Sequence, residues 1–355
     1  MNRSILILLA LILISGCASE PVRTSAHSST PPTSDIGRFV ADKRVWTFRG
    51  VAGQEYRTPN AVIRTTSSDR KILERLPPFV ELSILHFQSD LVRLPRPKET
   101  IETYFFQSRS QWAAMTHSLM GERAPVYLAI ERGGYSYNNI GVFFDLGPRD
   151  SFVICAHEGW HQYAHSTFAD PLPVWLDEGV ACVMEGFRWD EQFPDHPRFL
   201  LWANLERFDQ LRRAYNGGSL MPIHALLTLR PQDLIDQGVR SGNRQPAALN
   251  YYAQVWALIH FLREGQGGIY RQAFETMLRD AADGTLRDKL DAAALRDLNS
   301  RRAGAGTLLA YLPEGTSLRL LDQQYQRFVA QIIDIGGRDA IVAGRSPIRA
   351  SQQTP

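Results

Sequence analysis

Cysteine is scarce in this sequence, net charge is nearly absent, and the body has no long apolar run. Three cysteines in 355 residues, Cys17, Cys155 and Cys182, are too few for the disulfide framework of a small secreted scaffold. Beyond the first twenty residues no stretch approaches the ~18 apolar residues of a membrane-spanning helix. Lys and Arg number 39 against 37 Asp and Glu, a formal charge of +2, so the clustered basicity of a phosphate-binding surface is missing and no nucleic-acid partner is expected. No repeat at a fixed period is visible. What remains is a globular composition, 44% hydrophobic and 10% aromatic, long enough for one large domain or two ordinary ones with a sizeable core.

The N-terminus reads as a targeting segment. Arg3 precedes an apolar run from Ile5 to Ile14, too short to span a bilayer, and small residues lead into Cys17. The ending Ile14-Ser15-Gly16-Cys17 resembles a bacterial lipobox. That resemblance implies cleavage after residue 16, acylation of Cys17 and a durable anchor in a membrane, since each buried CH₂ contributes ~0.8 kcal/mol. Ala18 stands where an aspartate would signal inner-membrane retention, so the expected location is the cell envelope, at the outer membrane facing the periplasm. Residues 17–40 follow as the lipidated cysteine and a Ser-, Thr- and Pro-rich tether that cannot bury enough apolar surface to order itself.

The body divides into strands mixed with helices before residue 150 and helices after it, which predicts an α+β fold. An α+β unit is expected over 41–188, a helical unit over 189–335 and a polar, fraying tail over 336–355. Strands are expected within Arg44–Thr66, at Thr100–Phe106, at Val126–Ile130 and at Ile140–Phe144. One helix is expected from Arg70, capped by Asp69 and interrupted at Pro77-Pro78 before resuming over Phe79–Phe87. Later helices are expected over Ser151–Ser166, Val174–Phe187, Asn250–Glu264, Ile269–Ala282 and Leu318–Ile333. Gly217-Gly218 and Arg240–Arg244 read as surface loops. An oxidising compartment would permit a Cys155–Cys182 bridge, and buried free thiols are the other reading.

Chemistry concentrates in His157-Glu158-Gly159-Trp160-His161. Imidazoles at i and i+4 share one helical face, so both can reach a single Zn²⁺, and the glutamate after the first lies near the open position of the metal, placed to take a proton from water. A catalytic zinc needs a third protein ligand. Glu178, seventeen residues after His161 on the next helix, can supply it if the short loop Thr167–Pro173 folds the two helices into a hairpin.

HExxH followed by Trp175-Leu176-Asp177-Glu178-Gly179-Val180-Ala181 resembles the gluzincin metallopeptidases, especially their peptidase-MA-like branch, most clearly over Tyr127–Phe187. The resemblance implies a small mixed sheet packed on the HExxH helix and a helical half that completes the cleft. It implies one Zn²⁺ per chain on His157, His161 and Glu178, with Glu158 as general base. Cys182 stands where thermolysin-like enzymes carry an aspartate that orients a ligand histidine, and no Gly-x-Met-x-Asn exopeptidase motif precedes HExxH. Glu185, on nearly the same helical face as Glu178, and Asp177 are the candidates for orienting the ligands, with Asp170 another. His165 extends the HExxH face as a substitute ligand. Asn250-Tyr251-Tyr252-Ala253-Gln254 resembles a stretch of the same branch, making Tyr252 the expected oxyanion donor, with Tyr251, His224 and His260 as alternatives. Ile140–Phe144, through Gly141, Val142 and Phe143, is the expected edge strand for an extended peptide. The implied activity is zinc-dependent hydrolysis of peptide or protein substrates in the envelope by an endopeptidase. Its rivals are a binding or scaffold lipoprotein with little turnover and an amidase acting on peptidoglycan stems.

Overall fold

The computed structural model describes residues 39–348 except 131–132, 194, 232, 235–245 and 300–304. The targeting segment, Cys17, the tether up to residue 38 and the Arg240–Arg244 loop lie outside the described residues. Within them the fold is α+β, with a six-stranded mixed sheet in the N-terminal half and helices after it. No helix of the described residues is long and apolar enough to cross a membrane.

The sheet comprises β1 (Asp42–Phe48), β2 (Val51–Arg57), β3 (Ala61–Thr65), β4 (Ile101–Phe106), β5 (Gly134–Tyr137) and β6 (Ile140–Phe144), in the spatial order β1-β2-β3-β4-β6-β5. The first three strands form an antiparallel meander. β3, β4 and β6 run parallel, with Ala61 opposite Ile101 and Glu102 opposite Ile140, and β5 returns antiparallel to β6 with Tyr135 opposite Val142.

α1 (Arg70–Ser89) connects β3 to β4, and α2 (Arg109–Met120) and α3 (Ala124–Leu128) connect β4 to β5. α1 is one continuous helix although Pro77 and Pro78 lie inside it. Each proline removes an intrahelical hydrogen bond, a cost of about 3 kcal/mol or more in a helix interior. Here both rings are buried beside Leu76, Phe79 and Val80, and apolar packing carries the helix through. The Val126–Ile130 run is not a strand either. Pro125 presets the backbone angle of a helical first turn, and Tyr127 from α3 packs at 4.6 Å on Tyr135.

α4 (Asp150–Thr167) crosses one face of the sheet and α2 the other. Residues Thr103, Phe105, Gly141 and Phe143 share the α4 face. A Cβ on Gly141 would lie 2.5 Å from Gln162 Oε1, so the absent side chain admits α4. Gln162 then donates to the carbonyls of Glu102 and Asn139 at 2.9 and 3.0 Å, tying the helix to two strands. On the opposite face Trp112 packs against Phe144 and donates to the Val142 carbonyl at 3.1 Å.

α5 (Val174–Met184) turns back beside α4 and ends three residues before the expected Phe187. At Gly186 a Cβ would stand 2.3 Å from the Leu200 carbonyl oxygen, a close approach that starts a small ribbon of β7 (Phe187–Trp189) and β8 (Pro197–Phe199). The helical half follows: α6 (Leu205–Asn216), α7 (Ile223–Thr228), α8 (Pro246–Glu264), α9 (Arg271–Asp283), α10 (Ala292–Asn299), α11 (Ala305–Leu309), α12 (Leu318–Ile333) and α13 (Gly337–Val342). The last of these corrects the expectation of a fraying tail from residue 336. Ile341 is fully buried, and its carbonyl accepts from Arg188 at 3.4 Å.

α8 is the central helix of this half and packs against α5. Gly179 makes that contact possible, because a Cβ there would lie 2.8 Å from Ile259 Cγ1 and 2.9 Å from the Val255 carbonyl oxygen. Gly179→Ala is expected to lower stability by about 1–3 kcal/mol through overpacking, despite the gain in helix propensity. A urea midpoint equal to that of the wild type would show that the two helices can move apart freely.

Candidate metal centre

α4 and α5 form the expected hairpin. His157 and His161 lie one helical turn apart with ring centroids 5.2 Å apart, and Glu178 faces both from the middle of α5. Glu178 Oε2 is 3.6 Å from His157 Nε2 and 3.8 Å from His161 Nε2. Donors about 2.0–2.1 Å from a tetrahedral ion would sit roughly 3.3 Å apart, so the three atoms lie slightly wide of the corners of such a site. All are buried, with the two histidines and the glutamate between 1% and 5% exposed.

The hydrogen-bond inventory shows what the centre lacks. His157 Nε2, His161 Nε2, Glu178 Oε2 and both carboxylate oxygens of Glu158 are buried with no hydrogen-bond partner among the described residues. Leaving a buried polar atom unsatisfied costs about 1–3 kcal/mol, so five such atoms converging on one volume call for a shared partner. Two imidazole nitrogens and a carboxylate oxygen are the donor chemistry of zinc, and the residues fit it.

Each histidine is held from behind by a carboxylate. His157 Nδ1 is 2.8 Å from Glu185 Oε1, which makes Nδ1 the donor and turns the Nε2 lone pair toward Glu178. His161 Nδ1 is 3.0 Å from Asp177 Oδ1 as an ion-pair contact outside hydrogen-bond geometry, and that oxygen accepts from Trp160 Nε1 at 2.9 Å. Burial opposes charge on both rings, yet both pKa values rise. Cys182, Glu178 and Glu185 outweigh burial at His157, and Asp177 and Glu178 do so at His161. Positive charge is therefore favoured at this spot, whether a proton or a metal supplies it.

Glu185 is itself fixed. Arg207, from the first turn of α6, donates from Nη2 to Oε1 at 2.7 Å and from Nε to Oε2 at 3.0 Å, and Asn204 Nδ2 donates to Oε2 at 2.7 Å. Burial pushes the Glu185 carboxyl up, but Arg207 and His157 overcome it and hold the pKa at about 2. Asn204 and Arg207 were not singled out from sequence. The capping asparagine is readable there, since its side chain accepts from the Arg207 backbone N–H, but the inward turn of the arginine is not.

Glu158 is fully buried, and burial raises its pKa to about 7 despite the pull of His161, His157 and the Ser136 hydroxyl. Tyr252 from α8 stands with its ring 6.1 Å from that of His157 and 5.1 Å from the Arg207 guanidinium. Burial keeps the Tyr252 and Tyr251 phenols protonated well above their ordinary range, and both hydroxyls lack a partner among the described residues.

Other expectations are redirected. Ile140–Phe144 is not an edge: β6 is bonded to β4 on one side and β5 on the other, so Gly141, Val142 and Phe143 cannot take an added strand. The edge beside α4 is β5, formed by Gly134–Tyr137. His165 is exposed and paired with Asn138 at 2.8 Å, away from the donors. Asp170 pairs with Arg287 at 2.8 Å. His224 is exposed, and His260 stacks on Trp202 at 3.6 Å. Cys155 and Cys182 are both free and buried, with the Cys182 sulfur within 4.8 Å of donor atoms of His157 and Glu185. Compared with protein-family models, curated proteins and solved structures, the chain has no match.

Proposed function

We propose that this chain is a zinc-dependent peptidase of gluzincin type that hydrolyses peptide bonds in the bacterial envelope as an endopeptidase, anchored through an acylated Cys17. The observation that carries the reading is the convergence of His157, His161 and Glu178 on one buried volume beside an unpartnered Glu158. A binding module has use for three donors but not for a further buried carboxylate without a hydrogen-bond partner.

When bound, zinc supplies Lewis acidity toward a carbonyl oxygen and toward water. Glu158 takes the proton of the attacking water on a carboxylate oxygen and returns it to the leaving nitrogen. Burial raises its affinity for a proton, which favours taking one up and handing it on. The Tyr252 hydroxyl, protonated and free of other partners, donates to the developing oxyanion, with Tyr251 second. The β5 edge offers backbone groups to an extended substrate, and Ser136 on that strand acts on Glu158.

One observation favours the second reading, an envelope binding or scaffold protein that holds zinc for structure. The donors and Glu158 are all at most 5% exposed, and closed sites are the structural kind. Turnover requires this centre to open to a substrate. Elemental analysis of the purified protein is expected to give one zinc per chain, sharply reduced in Glu178→Ala. Stoichiometric zinc with no cleavage of a mixed peptide library would select the scaffold, or the amidase if peptidoglycan stems are cut. A zinc-free wild type would remove the metal altogether.

A further inference from the structure

A cavity of about 400 Å³ lies at the N-terminal ends of α4 and α6, with Glu185, the carboxylate that holds His157, in its wall. Arginines from three separate elements line it: Arg75 from α1, Arg149 before α4 and Arg188 from β7. Among the described residues none of the three has a carboxylate within 4.0 Å. Arg75 rests 4.3 Å over the Trp189 ring, Arg188 reaches only the Ile341 carbonyl at 3.4 Å, and Arg149 is exposed. Two carboxylates also line the cavity. Glu185 is already neutralised by Arg207, whereas Glu206 has no ion pair, accepts from Gln210 at 3.0 Å and is destabilised as an anion by burial. Three cations against one free carboxylate leave a net +2. The first turn of α4 lacks a side-chain cap and adds the positive end of its dipole, partly offset by Asp150 in that turn, whose charge also acts on Glu206.

Apart from Asn204, the remaining wall is apolar, chiefly Val153, Phe187 and the Trp189 ring. An inorganic ion alone would leave that wall wet, and an apolar ligand would leave the arginines unused. We infer that the cavity binds an oxyanion carried on an apolar body, a carboxylate or a phosphate monoester, with the charged end between Arg149 and Arg188. The volume falls within the ~300–1,000 Å³ of small-molecule sites. Planar guanidinium forks suit both kinds of oxyanion, so the source is left to the titration. None of the metal donors takes part, and the inference stands whether or not the chain is a peptidase.

Calorimetric titration of the full-length protein, stripped of metal, with N-acetyl-phenylalanine, phenyl phosphate and N-acetyl-phenylalanine amide tests it. One or both anions are expected to bind, the tighter one naming the source, with the neutral amide at least tenfold weaker. Arg149→Gln and Arg188→Gln, both at exposed positions, are each expected to weaken the anion at least fivefold. Ala203→Leu, which narrows the cavity and leaves the arginines in place, is expected to do the same. Equal affinity for acid and amide, unchanged affinity in both arginine variants, or no binding of either anion at millimolar concentration would overturn the proposal.

Discussion

Glu158→Gln is expected to lower peptide hydrolysis by about 10²–10⁴-fold, the range attributed to a positioned acid–base group, while zinc content stays at the wild-type level. The substitution keeps shape and volume and removes only the ability to accept and return a proton. That separation is possible because Glu158 is not one of the three donors that converge on a common point. Its burial is complete and neither oxygen has a partner in hydrogen-bond geometry among the described residues, so the charge is held only by the pull of His161, His157 and the Ser136 hydroxyl, which burial outweighs. Neutralising a fully buried, desolvated carboxylate removes a penalty, and the variant should melt at or above the wild-type temperature. A measured kcat/KM with a quenched-fluorescence peptide, alongside elemental analysis of the same sample, decides between outcomes. Retained cleavage would move the base elsewhere. Lost zinc would make Glu158 a ligand rather than a base.

What sequence made visible here follows from spacing along single elements. His157 and His161 share a face because four residues make about one turn, and Glu185 follows Glu178 by about two turns. Once α4 and α5 pair, those two faces meet with histidine–carboxylate distances of 2.8–3.8 Å. What stayed hidden depends on other elements. Arg207 points inward only because α6 lays its first turn over the end of α5, a contact between residues 22 positions apart. The position of β6 was misread because an edge is a property of strand order, not of a strand. The residues that displace it, Gly134–Tyr137, look like a turn because of Gly133-Gly134. Pro77-Pro78 shows the opposite case, in which burial of neighbours overrides a local rule, whereas at Val126–Ile130 the local helix signal is Pro125 itself.

The Glu185–Arg207 pair is expected to give the largest loss of stability in the molecule, and it separates folding from metal binding. Arg207→Leu removes the partner of a carboxylate that is 5% exposed, and breaking such a buried pair costs about 3–5 kcal/mol. The cost is uncompensated charge, because Asn204 and His157 alone must then hold Glu185 ionised. Glu185→Leu strands Arg207, 2% exposed, in the same way. The double substitution Glu185→Leu, Arg207→Met replaces both charges with apolar groups and is expected to recover most of the loss, since such replacements of buried pairs are often neutral or stabilising. Zinc affinity should behave differently. His157 depends on Glu185 for its orientation and tautomer, and losing such support typically costs 10–100-fold. The double variant should therefore be far more stable than either single variant without metal and still bind zinc at least tenfold more weakly than the wild type. Denaturant unfolding in chelator, paired with competition against a zinc-binding dye, reads the two quantities independently. If affinity recovers along with stability, Glu185 serves the fold alone and His157 finds its orientation from packing.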